Sequence, residues 1–137
     1  MTTHPITIRF ESFGFLHHDQ PPGHGLLYDL REALRNPSDD PALRHLTGLD
    51  PHVRDHVRNT EGADELAERI AGESAAHLSY ARPRGRDVQV FVGCRGGLHR
   101  SVALAEWAGE LLRARLGADC PAIEISHRHI DRGVVHQ

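Results

Sequence analysis

The chain has 137 residues, enough for one domain with a sizeable core. Its content, 39% hydrophobic and 26% charged, is that of an ordinary globular domain, and a net charge of −3 gives no general pull toward nucleic acid or membrane. All 16 basic residues are arginine, which excludes lysine nucleophiles, and Cys94 and Cys120 are too few for a disulfide framework.

The start, Met1-Thr2-Thr3-His4-Pro5, has no signal-peptide pattern, and no apolar run approaches a membrane span. A cytoplasmic protein is expected. Ile6, Ile8 and Phe10 alternate with Thr7, Arg9 and Glu11, which predicts a half-buried strand running on through Ser12-Phe13-Gly14-Phe15. A polar Pro/Gly-rich loop, His17 to Gly25, leads to a second, more buried strand over Leu26–Leu30, with Asp29 near its C-terminal end. Arg35 to Pro41 reads as loop, with Asn36-Pro37 as its turn signal.

Asp50-Pro51 predicts an N-cap and first helical residue, opening a short helix to about Arg58. Thr60 is the expected cap of a longer helix, Glu61 to about Tyr80, ended by Pro83-Arg84-Gly85. Val88–Val92 is a nearly continuous apolar strand. A helix from Val102 to Leu116, a turn at Gly117 and a last strand, Ala122–Ser126, complete a right-handed crossover. These elements predict a single α/β domain over 1–137, a sandwich with a mostly parallel sheet of about four strands.

Between Val92 and Val102 lies Gly93-Cys94-Arg95-Gly96-Gly97-Leu98-His99-Arg100-Ser101. A strand that turns through glycines into a helix presents unpaired N–H groups and a positive dipole end to an anion. Arg100 adds a fork that matches phosphate oxygens. Cys94, Arg95, Gly96, Gly97, Leu98, His99, Arg100 and Ser101 are therefore the candidate phosphate loop, with Asp29 and Arg31 opposite. Cysteine, five residues, arginine and serine is also the layout of a cysteine-dependent phosphatase. There Cys94 would be the nucleophile, with Arg100 and Ser101 assisting. Against that reading, Gly93 stands where such enzymes usually carry histidine, and Asp29, Asp39 and Asp40 are only formally available as general acid. The bland alternative makes Cys94 a small buried residue at a strand end.

The same loop, with Ser12-Phe13-Gly14-Phe15, Tyr28-Asp29-Leu30-Arg31, Asn36-Pro37, Leu46-Thr47-Gly48-Leu49-Asp50 and His127-Arg128, resembles the C-terminal domain of the RapZ/YvcJ family of RNase-adapter and nucleotide-binding proteins. The resemblance spans about residues 8–130 and implies binding of an amino-sugar phosphate or sugar nucleotide, with phosphate on the loop and Asp29 toward the sugar. It also implies a regulatory rather than catalytic role, and self-association. The chain departs from the family at Arg95 (Thr), Leu98 (Gln) and Ser38 (His). It has no Walker-type Gly-x-x-x-x-Gly-Lys, and its tail from Asp131 lacks the basic character linked to RNA binding.

Of the remaining features, Arg82-Pro83-Arg84-Gly85-Arg86 is the best RNA or adapter patch, read otherwise as a solvated turn. Arg100 could serve a structural ion pair, Asp29 could receive Arg31 or Arg100, and His99 could point into the core. Among twelve histidines, His17-His18 and His127-x-His129 lack partners at metal-ligand spacing. They are expected at the surface or at edges, and neither metal nor cofactor is expected. Trp107 and Leu111, four apart on one helix, are expected in the core.

Overall fold

The structure, a computed structural model, describes residues 5–34 and 36–134. Readings that fall on Met1 to His4, on Arg35 and on residues 135–137 lie outside the described residues. Four strands, β1 (Thr7–Gly14), β2 (Leu26–Asp29), β3 (Val88–Cys94) and β4 (Ala122–His127), form one sheet in the order β2-β3-β1-β4. Every pairing is parallel. Helices α1 (Pro51–Arg58) and α2 (Ala63–Ala81) join β2 to β3, and α3 (Arg100–Leu116) joins β3 to β4. The expected α/β class and parallel sheet are what is found.

The strand order explains the layering. The steps from β2 to β3 and from β3 to β4 run in one direction along the sheet, so right-handed crossovers put all three helices on one face. The step from β1 to β2 runs the other way and holds no α-helix. Its Gln20–Gly25 stretch packs over Phe13 and Phe91 on the opposite face. Ile8, Phe10, Val88, Val90 and Val92 point to the helices and are fully or nearly fully buried. Between the sheet and α2, α3 buries Val102, Ala103, Leu104, Ala105, Ala108 and Leu112, the alanines allowing close approach. Trp107 joins this core as expected, with the Arg58 guanidinium 4.8 Å over its ring, and Leu111 packs at its margin. No helix among the described residues is long and apolar enough to cross a membrane.

Three local readings are corrected. β2 is an edge strand, so Leu27 is 54% exposed rather than buried on both faces. α2 starts at Ala63 after Gly62, because the Thr60 hydroxyl turns back to donate to the His56 carbonyl at the end of α1. α3 starts at Arg100, two residues before the apolar periodicity.

What positions the loop after β3 is a backbone contact with the end of β1. A Cβ added at Gly14 would sit 2.6 Å from the Gly97 nitrogen. Gly97 has φ +72°, a conformation that side chains resist. Gly14→Ala is expected to lower folding stability by about 1–3 kcal/mol, the usual cost of overpacking. A urea midpoint equal to wild type would show that the loop simply yields.

Candidate phosphate-binding site

β3 delivers Cys94, whose buried thiol accepts the Gly97 N–H at 3.3 Å and lies 3.1 Å from the Ser101 hydroxyl. The loop carbonyls are drawn outward. Leu16 N–H donates to Arg95 O at 3.0 Å, Gly48 N–H to Leu98 O at 2.8 Å, and the His17 ring is 3.0 Å from Gly96 O. These three contacts engage the Arg95, Gly96 and Leu98 carbonyls and fix the backbone of the loop. The hollow over the loop is lined by Leu16, Asn36, Ser38, Cys94, Arg95, Gly96, Leu98, His99, Arg100 and Val134.

Arg100 sits in the wall of this hollow, only 3% exposed. Its Nη1 donates to the carbonyls of Leu30 at 3.1 Å and Ala33 at 3.0 Å, bracing the turn after β2. Among the described residues no carboxylate pairs with it, and its buried Nε has no hydrogen-bond partner. Burial, reinforced by the Arg95 charge, pulls it below the ordinary arginine value, while Cys94, Asp39 and Glu32 oppose the shift.

Asp29 is not brought to this hollow. Arg31, two residues on, grips both its oxygens (Nη2 to Oδ2 2.6 Å) and holds its carboxyl below the usual range. Asp29 lines a separate hollow against Leu66, Arg69 and Glu73 of α2. Of the alternatives open for Asp29, the structure selects Arg31 as its partner. Arg31 itself lies 3.9 Å over the Phe15 ring. The buried His99 ring lies 3.0 Å from the Arg44 carbonyl, and burial holds it below the ordinary histidine value. Gly97 and Ser101 support the loop from behind rather than lining it.

Sequence reasoning missed Leu16 and Val134, and it did not assign Asn36 and Ser38, although Asn36-Pro37 marked their turn. Asn36 Oδ1 accepts the Ser38 N–H at 3.1 Å and so shapes one rim. The expectation that the paired histidines lie at the surface is corrected for His129, which is fully buried. Its Nδ1 accepts the Gly14 N–H at 2.8 Å, its Nε2 faces Asp19 at 3.3 Å, and its ring is 4.4 Å from that of His17. An Nδ1 that accepts cannot be protonated, so this pairing assigns a neutral ring. Burial, reinforced by His17 and Arg132, holds it below the ordinary value against the opposing bond to Asp19. No group of three or more metal-ligating side chains gathers among the described residues. Ser12, His127 and Glu106 are linked in series at 2.6 and 2.8 Å, but Ser12 is sealed, so the chain pins β4 to β1 and α3 rather than presenting a nucleophile. The Arg82–Arg86 turn lies before β3, at the end of the sheet opposite the loop. There Arg82 donates to the Asp119 carbonyl, and Arg84 stacks 3.7 Å over Tyr80.

Comparison with known proteins gives one consistent result. The family described as the RapZ C-terminal domain matches residues 6–131. A nucleotide-binding protein of Rubrobacter xylanophilus is 42% identical over 134 residues, covering 93% of this chain and 42% of the relative. Another, of Thermus thermophilus, is 41% identical over 126 residues (91% of this chain, 43% of the relative). A third, of Clavibacter michiganensis, is 38% identical over 129 residues (93% and 42%). The chain thus spans about two fifths of the length of these relatives.

The two buried histidines set a pH dependence. Both are held below the ordinary value, so the unfolded chain binds protons at a pH where the fold does not. Their contribution to stability is complete above the unfolded value of about 6.5 and is lost as pH falls from there toward the lower folded values. Urea unfolding between pH 7.5 and 5 is expected to show stability dropping below about pH 6.5. A flat profile would contradict neutral imidazoles at both positions.

Proposed function

The chain belongs to the RapZ C-terminal domain family, and from that footing we propose that it binds a phosphorylated metabolite in the hollow over Cys94–Arg100. The observation that carries this reading is the buried Arg100, which among the described residues pairs with no carboxylate and has an Nε without a hydrogen-bond partner. A buried cation with no ion in direct contact is costly, and a phosphate in the hollow would supply that contact where Asp39 and Glu32 act only from a distance. The names of the relatives, nucleotide-binding proteins, agree with such a ligand. A sugar phosphate or nucleotide sugar fits the mixed lining of Arg95, Asn36, Ser38 and Leu16. The role we assign is that of a cytoplasmic sensor or regulatory module, self-associating as the family resemblance implies. RNA or adapter binding would fall to the Arg82–Arg86 turn, far from the ligand.

A second reading, cysteine-dependent phosphatase, is favoured by the Cys94–Ser101 contact and the Gly97 N–H on the sulfur. Binding without turnover is expected instead. An aryl phosphate should release no phosphate over hours at high protein concentration; release abolished by Cys94→Ser would establish the phosphatase.

Arg100→Ala is expected to weaken binding of a sugar phosphate by about 2–4 kcal/mol, whereas Arg84→Ala leaves it unchanged. Calorimetry on both variants, after thermal melts establish that each is folded, checks this. Equal affinity in the two would refute the loop site.

A further inference from the structure

His129, two residues past β4, does not line the hollow, yet it touches both parts of the clamp that β1 places on the loop. One part is Gly14, against which Gly96 and Gly97 pack with no room for a Cβ. Its N–H donates to His129 Nδ1 at 2.8 Å. The other part is His17, whose ring lies 4.4 Å from that of His129 and 3.0 Å from the Gly96 carbonyl. A carbonyl can only accept, so His17 donates there through Nε2. The charges facing the fully buried His129 ring come from three elements. The turn after β1 supplies Asp19, 3.3 Å from Nε2, and His17. The turn after β4 supplies Arg128 and Arg132, which approach the same Asp19 at 3.0 and 3.6 Å. β1 supplies Glu11, 3.2 Å from Arg128.

These contacts decide where a second proton goes. Nε2 faces a carboxylate, so it carries the proton of the neutral ring. The next proton has only Nδ1 to occupy, the atom that holds Gly14. An N–H would then face an N–H in a place closed to water. Resting on the phosphate-loop reading, we propose that His129 is a positioning residue that ties anion binding at the loop to pH. The neutral ring keeps Gly14 and His17 pressed on the loop; the protonated ring lets go of Gly14 and loosens the loop. The sign of the effect is diagnostic. Acid adds positive charge to a protein, so an anion held by charge alone binds more tightly as pH falls. Release of Gly14 makes it bind less tightly.

Calorimetry with sulfate on the full chain tests this, because sulfate keeps both its charges between about pH 7.5 and 5.5 and any change belongs to the protein. Sulfate affinity is expected to fall about fivefold or more over that range, the scale of a coupling between two sites. His129→Leu, which removes the acceptor, should bind about fivefold more weakly at the upper pH. His129→Asn, whose Oδ1 stands where Nδ1 stood and does not titrate, should recover most of that loss and lose most of the pH dependence. Affinity that is flat or rises toward acid in the unaltered chain would overturn the proposal and leave the phosphate loop standing. So would a fall of equal size in His129→Asn, which would move the effect to another group such as His99. Failure of sulfate and phosphate alike to bind at the upper pH would remove the loop reading and this proposal together. Melting temperatures taken at both pH values establish that each protein is folded where its affinity is measured.

Discussion

The end of β1 and the loop after β3 meet backbone to backbone, with no room for a side chain between Gly14 and Gly97. Neighbouring features follow from that approach. Because the glycines touch, the loop folds down over the sheet edge, and Leu16 and His17, just beyond Gly14, reach the carbonyls of Arg95 and Gly96. On the far side Gly48 makes an equally close approach: a Cβ there would meet the Ala103 nitrogen at 2.7 Å, and its own N–H takes the Leu98 carbonyl. The loop is held from both sides, by β1 and by the Gly48 turn. Preorganisation of this kind spares a ligand the entropy of ordering the loop.

The second organising element is a buried positive charge. Arg100 braces the turn after β2 through two carbonyls, so the fold needs its length and fork as well as its charge. A carboxylate beside it would satisfy the guanidinium and close the site. Asp29, at the end of β2, is instead captured by Arg31, two residues on. The local pair thus leaves Arg100 with no carboxylate in direct contact among the described residues, while Asp39 and Glu32 act on it from further off. The two buried histidines are held below the ordinary value: His99 is turned to the Arg44 carbonyl, and His129 accepts from Gly14.

The motifs that looked scattered along the chain turn out to be one shell. Ser-Phe-Gly-Phe places Gly14 under the loop, Tyr-Asp-Leu-Arg ends in the carbonyls that Arg100 grips, and Leu-Thr-Gly-Leu-Asp carries Gly48 onto the start of α3. His-Arg contributes Arg128, whose guanidinium bridges Asp19 and Glu11 beside His129. The first three pieces touch the loop or the start of α3, whereas His-Arg is tied to β1 through Ser12 and Glu11.

The sequence by itself determined the elements and the loop. Period-two and 3.6-residue patterns, the Asp50-Pro51 cap and the glycines of the loop are local signals, and local signals survive in one dimension. Cys94, Arg95, Gly96, Leu98, His99 and Arg100 border one hollow, as neighbours in the chain are placed to do. Only the tertiary structure decided the strand order, since pairing β1 with both β3 and β4 depends on side chains more than seventy residues apart. That order made β2 an exposed edge where its apolar composition suggested a buried strand. It decided as well that His129 is sealed beneath Gly14 and that Asn36 and Ser38 close the rim. It further decided that Asp29 faces Arg31 and not the loop. Those outcomes turn on which donor reaches which acceptor first in three dimensions, a competition of distances that composition and spacing do not encode.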